Sequence, residues 1–250
     1  MRILVLQHAS VEHPGIFRDF MREHGAQVHV AELDAGDPIP DPALFDAMLA
    51  FGGPMNVYEE DAHPFLKPET AAIRYAADHG VPFLGVCLGG QLLAKALDAP
   101  VTTNPVPEVG VLEIELTEEG RRDPLFTAFP TRAKVVQWHS DTFAIPEGGV
   151  LLASSPACRH QAFRIGETAY GIQFHVEVTP QMTEEWGEVP EYCASLRDVT
   201  GWRDPQPLVA AVKAHAHQLE RQARGMFDGF CEVASRTAAR RLGRREESLH

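Results

Sequence analysis

The chain has 250 residues, 44% of them apolar and 23% charged, which suits a packed globular core and excludes wholesale disorder. Thirty-five acidic against 22 basic side chains leave a formal net charge of -13, a balance that opposes binding to nucleic acid or docking on an anionic membrane. No apolar run approaches the roughly 20 residues that span a bilayer.

The first predicted element is a strand at Ile3 to Leu6, too short and wrongly flanked for a signal peptide. Residues 15–24 have helical spacing, with Ile16, Phe17, Phe20 and Met21 apolar and Gly25 where a C-cap would sit. Strands are expected at 27–33 and 47–51, the second ending in Gly52-Gly53-Pro54. A helix at 68–79 closes on Gly80, a fourth strand at 81–86 runs into Cys87, and a helix follows at 91–97. Strand–helix alternation with short connections implies a doubly wound, mostly parallel sheet covered by helices on both faces.

From Val109 the texture changes. Residues 109–116 alternate at period two, and 133–138, 150–154, 161–165 and 169–174 follow as strand candidates, which suits antiparallel hairpins added to the parallel core. Residues 186–203 give no clear element. Pro205-Gln206-Pro207 precedes a long helix from 208 to about 242, with Met226, Phe227 and Phe230 as its core-facing stripe. Arg240-Arg241 and Arg244-Arg245 read as its solvated end. Without repeats or low-complexity tracts, 1–250 reads as a single domain with a C-terminal helical extension from about 181.

The chemistry concentrates at Gly85-Val86-Cys87-Leu88-Gly89-Gly90-Gln91. A strand ends at Cys87 and a helix begins at once, with Gly85 and Gly89 two residues either side. This is the cysteine counterpart of the Gly-x-Ser-x-Gly nucleophile elbow. A nucleophile on so tight a turn occupies strained backbone, and small neighbours let the chain pass closely. The sulfur would stand at a helix N-terminus, where the dipole favours thiolate. The competing reading, a small buried core residue, fits most cysteines but not this setting.

A thiol nucleophile needs a base, and the base an orienter. Phe174-His175-Val176-Glu177 offers both, because a continued strand would put His175 and Glu177 on one face. Phe51-Gly52-Gly53-Pro54 lies beyond the third strand, on the side where parallel sheets bind ligands. The N–H groups of Gly53 and Leu88 are the expected donors to an oxyanion.

In this order the segments resemble the class I (triad) glutamine amidotransferases, from Met1 to about Pro180. More narrowly, Gly53-Pro54-Met55-Asn56-Val57-Tyr58-Glu59-Glu60 and Trp138-His139-Ser140-Asp141-Thr142-Phe143 look like the stand-alone GMP-synthase-like members. The resemblance implies a flavodoxin-like sheet, with Cys87 as nucleophile, His175 as general base then acid, and Glu177 as orienter. Gly53 and Leu88 would form the oxyanion hole. Gln91 and the backbone around His139, Ser140 and Asp141 would hold the amino-acid end of glutamine. Where many relatives have proline between the His and the Glu, this chain has Val176.

The expected activity is therefore hydrolysis of glutamine's side-chain amide, with ammonia passing to an unidentified acceptor or a partner synthetase. Two other readings are a γ-glutamyl hydrolase acting on another conjugate and a non-catalytic binding or regulatory protein. No Walker sequence is present, and no cofactor is expected. Nor is a metal, because His215 and His217 are two apart on a helix and the cysteines form no ligand pair. Cys158, Cys193 and Cys231 read as packing residues, and His8 either lines the mouth near Cys87 or lies on the surface. The cysteine pattern fits a reducing cytoplasm.

Overall fold

The computed structural model describes the backbone of residues 1–247 and the side chains of residues 1–240. Its first half contains β1 (Arg2–Gln7), α1 (Phe17–Glu23), β2 (Gln27–Glu32), β3 (Ala47–Ala50), α2 (Leu66–Asp78), β4 (Phe83–Val86) and α3 (Leu88–Ala96). Then come β5 (Val101–Leu116), α4 (Glu118–Arg122), β6 (Arg132–Phe143), β7 (Val150–Ser154), β8 (Ala162–Ile165) and β9 (Ala169–Ile172). Three helices end the chain: α5 (Pro180–Trp186), α6 (Pro190–Thr200) and α7 (Gln206–Glu247).

The strands form one sheet in the order β2-β1-β3-β4-β9-β8-β7-β5-β6. The first five are parallel, and the hairpin strands beyond β9 are antiparallel. The parallel half has the flavodoxin-like order, and its strand C-termini share one rim where such sheets place ligands.

The interiors of the central strands are continuously apolar because both faces are covered. Ile3, Val5, Leu49, Leu84 and Val86 meet Phe17 and Phe20 of α1 and Met226, Phe227 and Phe230 of α7. Leu4, Leu6, Met48 and Phe83 turn to the other face, against Ile73 of α2 and Leu92 and Leu93 of α3. Alternation at period two thus divides each strand between two cores. A third cluster joins Val136 and Trp138 to Trp186, Leu196 and Leu208.

Several elements depart from the sequence expectation. β5 begins at Val101, eight residues early, across a register shift between Thr103 and Glu108 that accommodates Pro105 and Pro107. β6 runs on to Phe143, so His139 to Thr142 lie in a strand. β9 stops at Ile172, and His175 instead makes an isolated antiparallel bridge with Val136 of β6. Residues 186–203 resolve into the end of α5 and the whole of α6, closed by Gly201 at φ 74°. α7 starts two residues early, with Asp204 accepting from the Gln206 N–H at 2.9 Å. At its far end Arg240 pairs with Glu167, whereas the side chains of Arg241, Arg244 and Arg245 lie outside those described. Among the described residues no helix is long and apolar enough to cross a membrane.

Candidate active site

Cys87 caps the N-terminus of α3 in the strained conformation φ 53°, ψ −109°. Its N–H donates to the Ile172 carbonyl at 2.8 Å and its carbonyl accepts from Gln91 N–H at 3.0 Å, so the bend is held from β9 and from the helix itself. A Cβ at Gly85 would run into the carbonyl of Gly89, and one at Gly89 into the carbonyl of Ala50. The two glycines therefore let strand, elbow and helix approach to backbone contact.

His175 and Glu177 meet despite the early end of β9. The bridge to Val136, with N–H···O distances of 3.1 and 2.8 Å, fixes the segment that the strand no longer holds. His175 Nδ1 lies 2.6 Å from Glu177 Oε1, and Glu177 Oε2 accepts from the Val176 N–H at 3.0 Å. The ring is buried, edge-on to Trp186 at 5.1 Å. Burial works against its proton, but the Glu177 carboxylate and hydrogen bonds to Cys87 and Glu177 outweigh it, and the imidazole is pushed well above its ordinary value. With Nδ1 on Glu177, Nε2 is the nitrogen left for Cys87.

A cavity of about 120 Å³ opens beside Cys87 and is lined by Gly53, Leu88, Gln91, His139, Ser140 and Asp141 among others. Every residue singled out for oxyanion or substrate contact is thus gathered at one mouth. Leu88 is the first residue of α3, so its N–H has no intrahelical acceptor. Gln91 donates to Gln173 Oε1 at 3.2 Å, and Gln173 in turn lies 3.6 Å from the Cys87 sulfur. The Cys87 thiol also lies 3.9 Å from the Trp138 carbonyl.

The ring of His139 is already engaged, its Nδ1 2.8 Å from the Asp141 carbonyl and its Nε2 3.1 Å from Glu108. Ser155 and Gln161 also donate to Glu108. Glu108, His139 and Cys158 bring donor atoms within 4.8 Å of one another, a trio that no ligand spacing along the chain reveals. Cys158 and Cys231 are buried, and Cys193 is half-buried.

His8 is not on the surface. It is fully buried, with Nδ1 2.9 Å from the Gly52 carbonyl and Nε2 2.7 Å from Glu69. Burial opposes its proton, but Glu69 prevails and the imidazole is raised. Sequence reading also missed Glu12, Glu191 and Tyr192. Helix α6 sends Glu191, Tyr192 and Ser195 to the cavity wall, and no motif marked that segment.

Residues 16–186 match the family described as glutamine amidotransferase class-I. The chain is 32% identical over 207 residues to a glutamine amidotransferase-like protein, YfeJ, of Salmonella typhimurium, covering 81% of this chain and 86% of that one. It is 34% identical over 179 residues to a glutamine-hydrolysing GMP synthase of Thermosipho melanesiensis, matching 71% of this chain but only 33% of that longer protein. A solved glutamine amidotransferase from Thermotoga maritima superposes with a TM-score of 0.83 at 30% identity, covering 94% of this chain and 98% of that one. The chain belongs to the class I glutamine amidotransferase family.

Proposed function

We propose that the protein hydrolyses the side-chain amide of L-glutamine through a γ-glutamyl thioester on Cys87. The observation that carries this reading is the assembly of an elbow cysteine and a buried His175–Glu177 pair at one small cavity. Cys87 Sγ attacks the amide carbon, and the N–H groups of Gly53 and Leu88 receive the developing oxyanion. His175 gives its proton to the amide nitrogen, the C–N bond breaks, and ammonia leaves. Water then adds to the thioester as His175 takes its proton, releasing glutamate and restoring the thiol. Glu177 holds the imidazole in the tautomer both steps require. Gln91 and the main chain of His139, Ser140 and Asp141 hold the amino-acid end of the substrate.

The ammonia is passed to a synthetase or other acceptor. Support comes from a relative in Saccharolobus solfataricus, named as one of the subunits of a glutamine-hydrolysing GMP synthase and 33% identical over 156 residues. In the same reading the helices beyond about 181 extend the family domain and help to wall the pocket, and the protein works in the cytoplasm.

The test is ammonia release from glutamine by the wild type and Cys87→Ala, with and without cell extract, together with labelling by a diazo-ketone analogue of glutamine. A single adduct on Cys87 and loss of release in Cys87→Ala are expected. Equal release from both proteins would exclude Cys87 as nucleophile. Rapid turnover of other γ-glutamyl amides with glutamine inert would instead mark a conjugate hydrolase.

A further inference from the structure

A second carboxyl group lies beside the site and has no part in the steps above. Glu12, between β1 and α1, is 3% exposed. Its Oε1 accepts from Tyr192 Oη at 2.5 Å, and its Oε2 is buried without a hydrogen-bond partner. That free oxygen stands against Gly52, where a Cβ would touch it, on the strand-end that presents Gly53 to the cavity. Tyr192 lines the cavity beside Cys87, and its ring packs at 5.4 Å on Trp138 and 5.9 Å on Trp186. Trp186 in turn closes over His175.

We propose that Glu12 and Tyr192 form a positioning pair for the Cys87–His175 site: the buried Glu12 carboxyl anchors Tyr192 of α6 against Trp186, which closes over His175, and when ionised it places a second negative charge near that of Glu177. The pair rests on the reading of Cys87 and His175 as nucleophile and acid–base.

The titratable groups that act most on Glu12 are His175 and Glu177 beyond β9, His8 beyond β1 and Tyr192 on α6. Burial is the largest influence and drives the carboxyl up to about 7, while His175, the Tyr192 hydroxyl and His8 favour its charge and Glu177 opposes it. Tyr192 itself is held well above its ordinary value by burial and by Glu12, so it remains a hydroxyl donor. An attraction between two titrating groups is mutual: if His175 favours the Glu12 carboxylate, that carboxylate favours the imidazolium to the same extent. Glu177 fixes the ring through Nδ1. Glu12 adds charge and touches no atom of the substrate. The pair also spans the family domain and the helical extension, since the family match ends at residue 186 and Tyr192 lies beyond it. This explains why α6 is tied down over the cavity by a buried ion-capable contact and not by apolar packing alone.

The test follows the His175 ring by NMR titration in the wild type, Glu12→Gln and Tyr192→Phe, alongside the pH profile of glutamine hydrolysis. Glu12→Gln keeps the shape and removes the charge. His175 should lose its proton about half a pH unit lower, roughly a threefold loss of proton affinity, and the basic limb of kcat/KM should move down with it. Tyr192→Phe keeps the wall of the cavity and removes the hydroxyl, so Glu12 ionises at higher pH, His175 loses its proton at lower pH by less than in Glu12→Gln, and KM stays near the wild-type value. If His175 titrates at one pH in all three proteins, the pair is only structural and the inference fails. If Glu12→Gln does not fold, Tyr192→Phe decides alone. If wild-type His175 shows no raised titration and Cys87 takes no diazo-ketone label, the functional reading fails first.

Discussion

The bend at Cys87 stores strain that its neighbours must tolerate, and this makes the flanking glycines as consequential as the sulfur. Gly89 donates its N–H to the Phe51 carbonyl at 3.1 Å, while its Cα sits over Ala50. A methyl there meets backbone, which cannot rotate away. Gly89→Ala should therefore cost about 1–3 kcal/mol in stability by overpacking, and should lose diazo-ketone labelling of Cys87 even where the protein remains folded. Urea unfolding and intact-mass measurement check the two halves; an Ala variant that labels normally would show that the elbow has slack. These residues were readable in sequence because nucleophile, glycines and helix start are contiguous. Glu12 was not readable, because its meaning comes from Tyr192, 180 residues away, and from a burial that no local pattern announces.

Among the elements, α7 does the most to tie the two ends of the chain together. Phe227 is fully buried, 5.4 Å from Phe17 and 6.0 Å from Phe20 of α1, and joins the cluster against β1, β3 and β4. Phe227→Ala should destabilise the protein by about 3–5 kcal/mol, measured from the urea midpoint, with the Cys87 site intact in the surviving folded fraction. A loss below about 1 kcal/mol would mean that α7 packs only peripherally. The parallel half was legible because continuous apolar runs and glycine stops leave little choice of element. The hairpin half was less so. Pro105 and Pro107 concealed the start of β5, and the pairing of His175 with Val136 depends on a strand almost 40 residues earlier. Helix α6 lacks a strong apolar face, with Leu196 its only fully buried side chain among the described residues, so its position rests on partners that periodicity does not reveal.

Across the whole molecule the buried His175, His8 and Glu12, together with the net charge, lower stability as pH rises, and a smaller set of groups opposes them. His175 and His8 have raised proton affinities, so the stability each contributes is complete below the unfolded imidazole value and is lost as pH climbs through the folded one. Glu12 follows the same sign one window lower. Folded, it keeps its proton up to about 7 against an ordinary 4.5, and it disfavours the folded state increasingly across that interval, by roughly 3 kcal/mol at the end of it. Half-buried His13 runs the other way, because burial and then Arg18 lower it. At the acid end, Glu23, Glu60 and Glu167, each held down by a basic partner at the surface, lose their pairing as pH falls through their carboxylate range. The formal charge of -13 adds self-repulsion that relaxes toward the isoelectric point near 5.3. The stability maximum should therefore fall on the acid side of neutrality, between about pH 5 and 6, and unfolding midpoints should decline steadily from pH 6 to 9. Glu12→Gln should flatten the part of that decline below pH 7 and move the remaining part, which belongs to the histidines, to slightly lower pH as His175 gives up its proton earlier. A wild-type curve that rises from pH 6 to 8 would mean that His175 and His8 do not hold their protons more tightly in the folded protein, and would leave no raised His175 titration for Glu12 to act on.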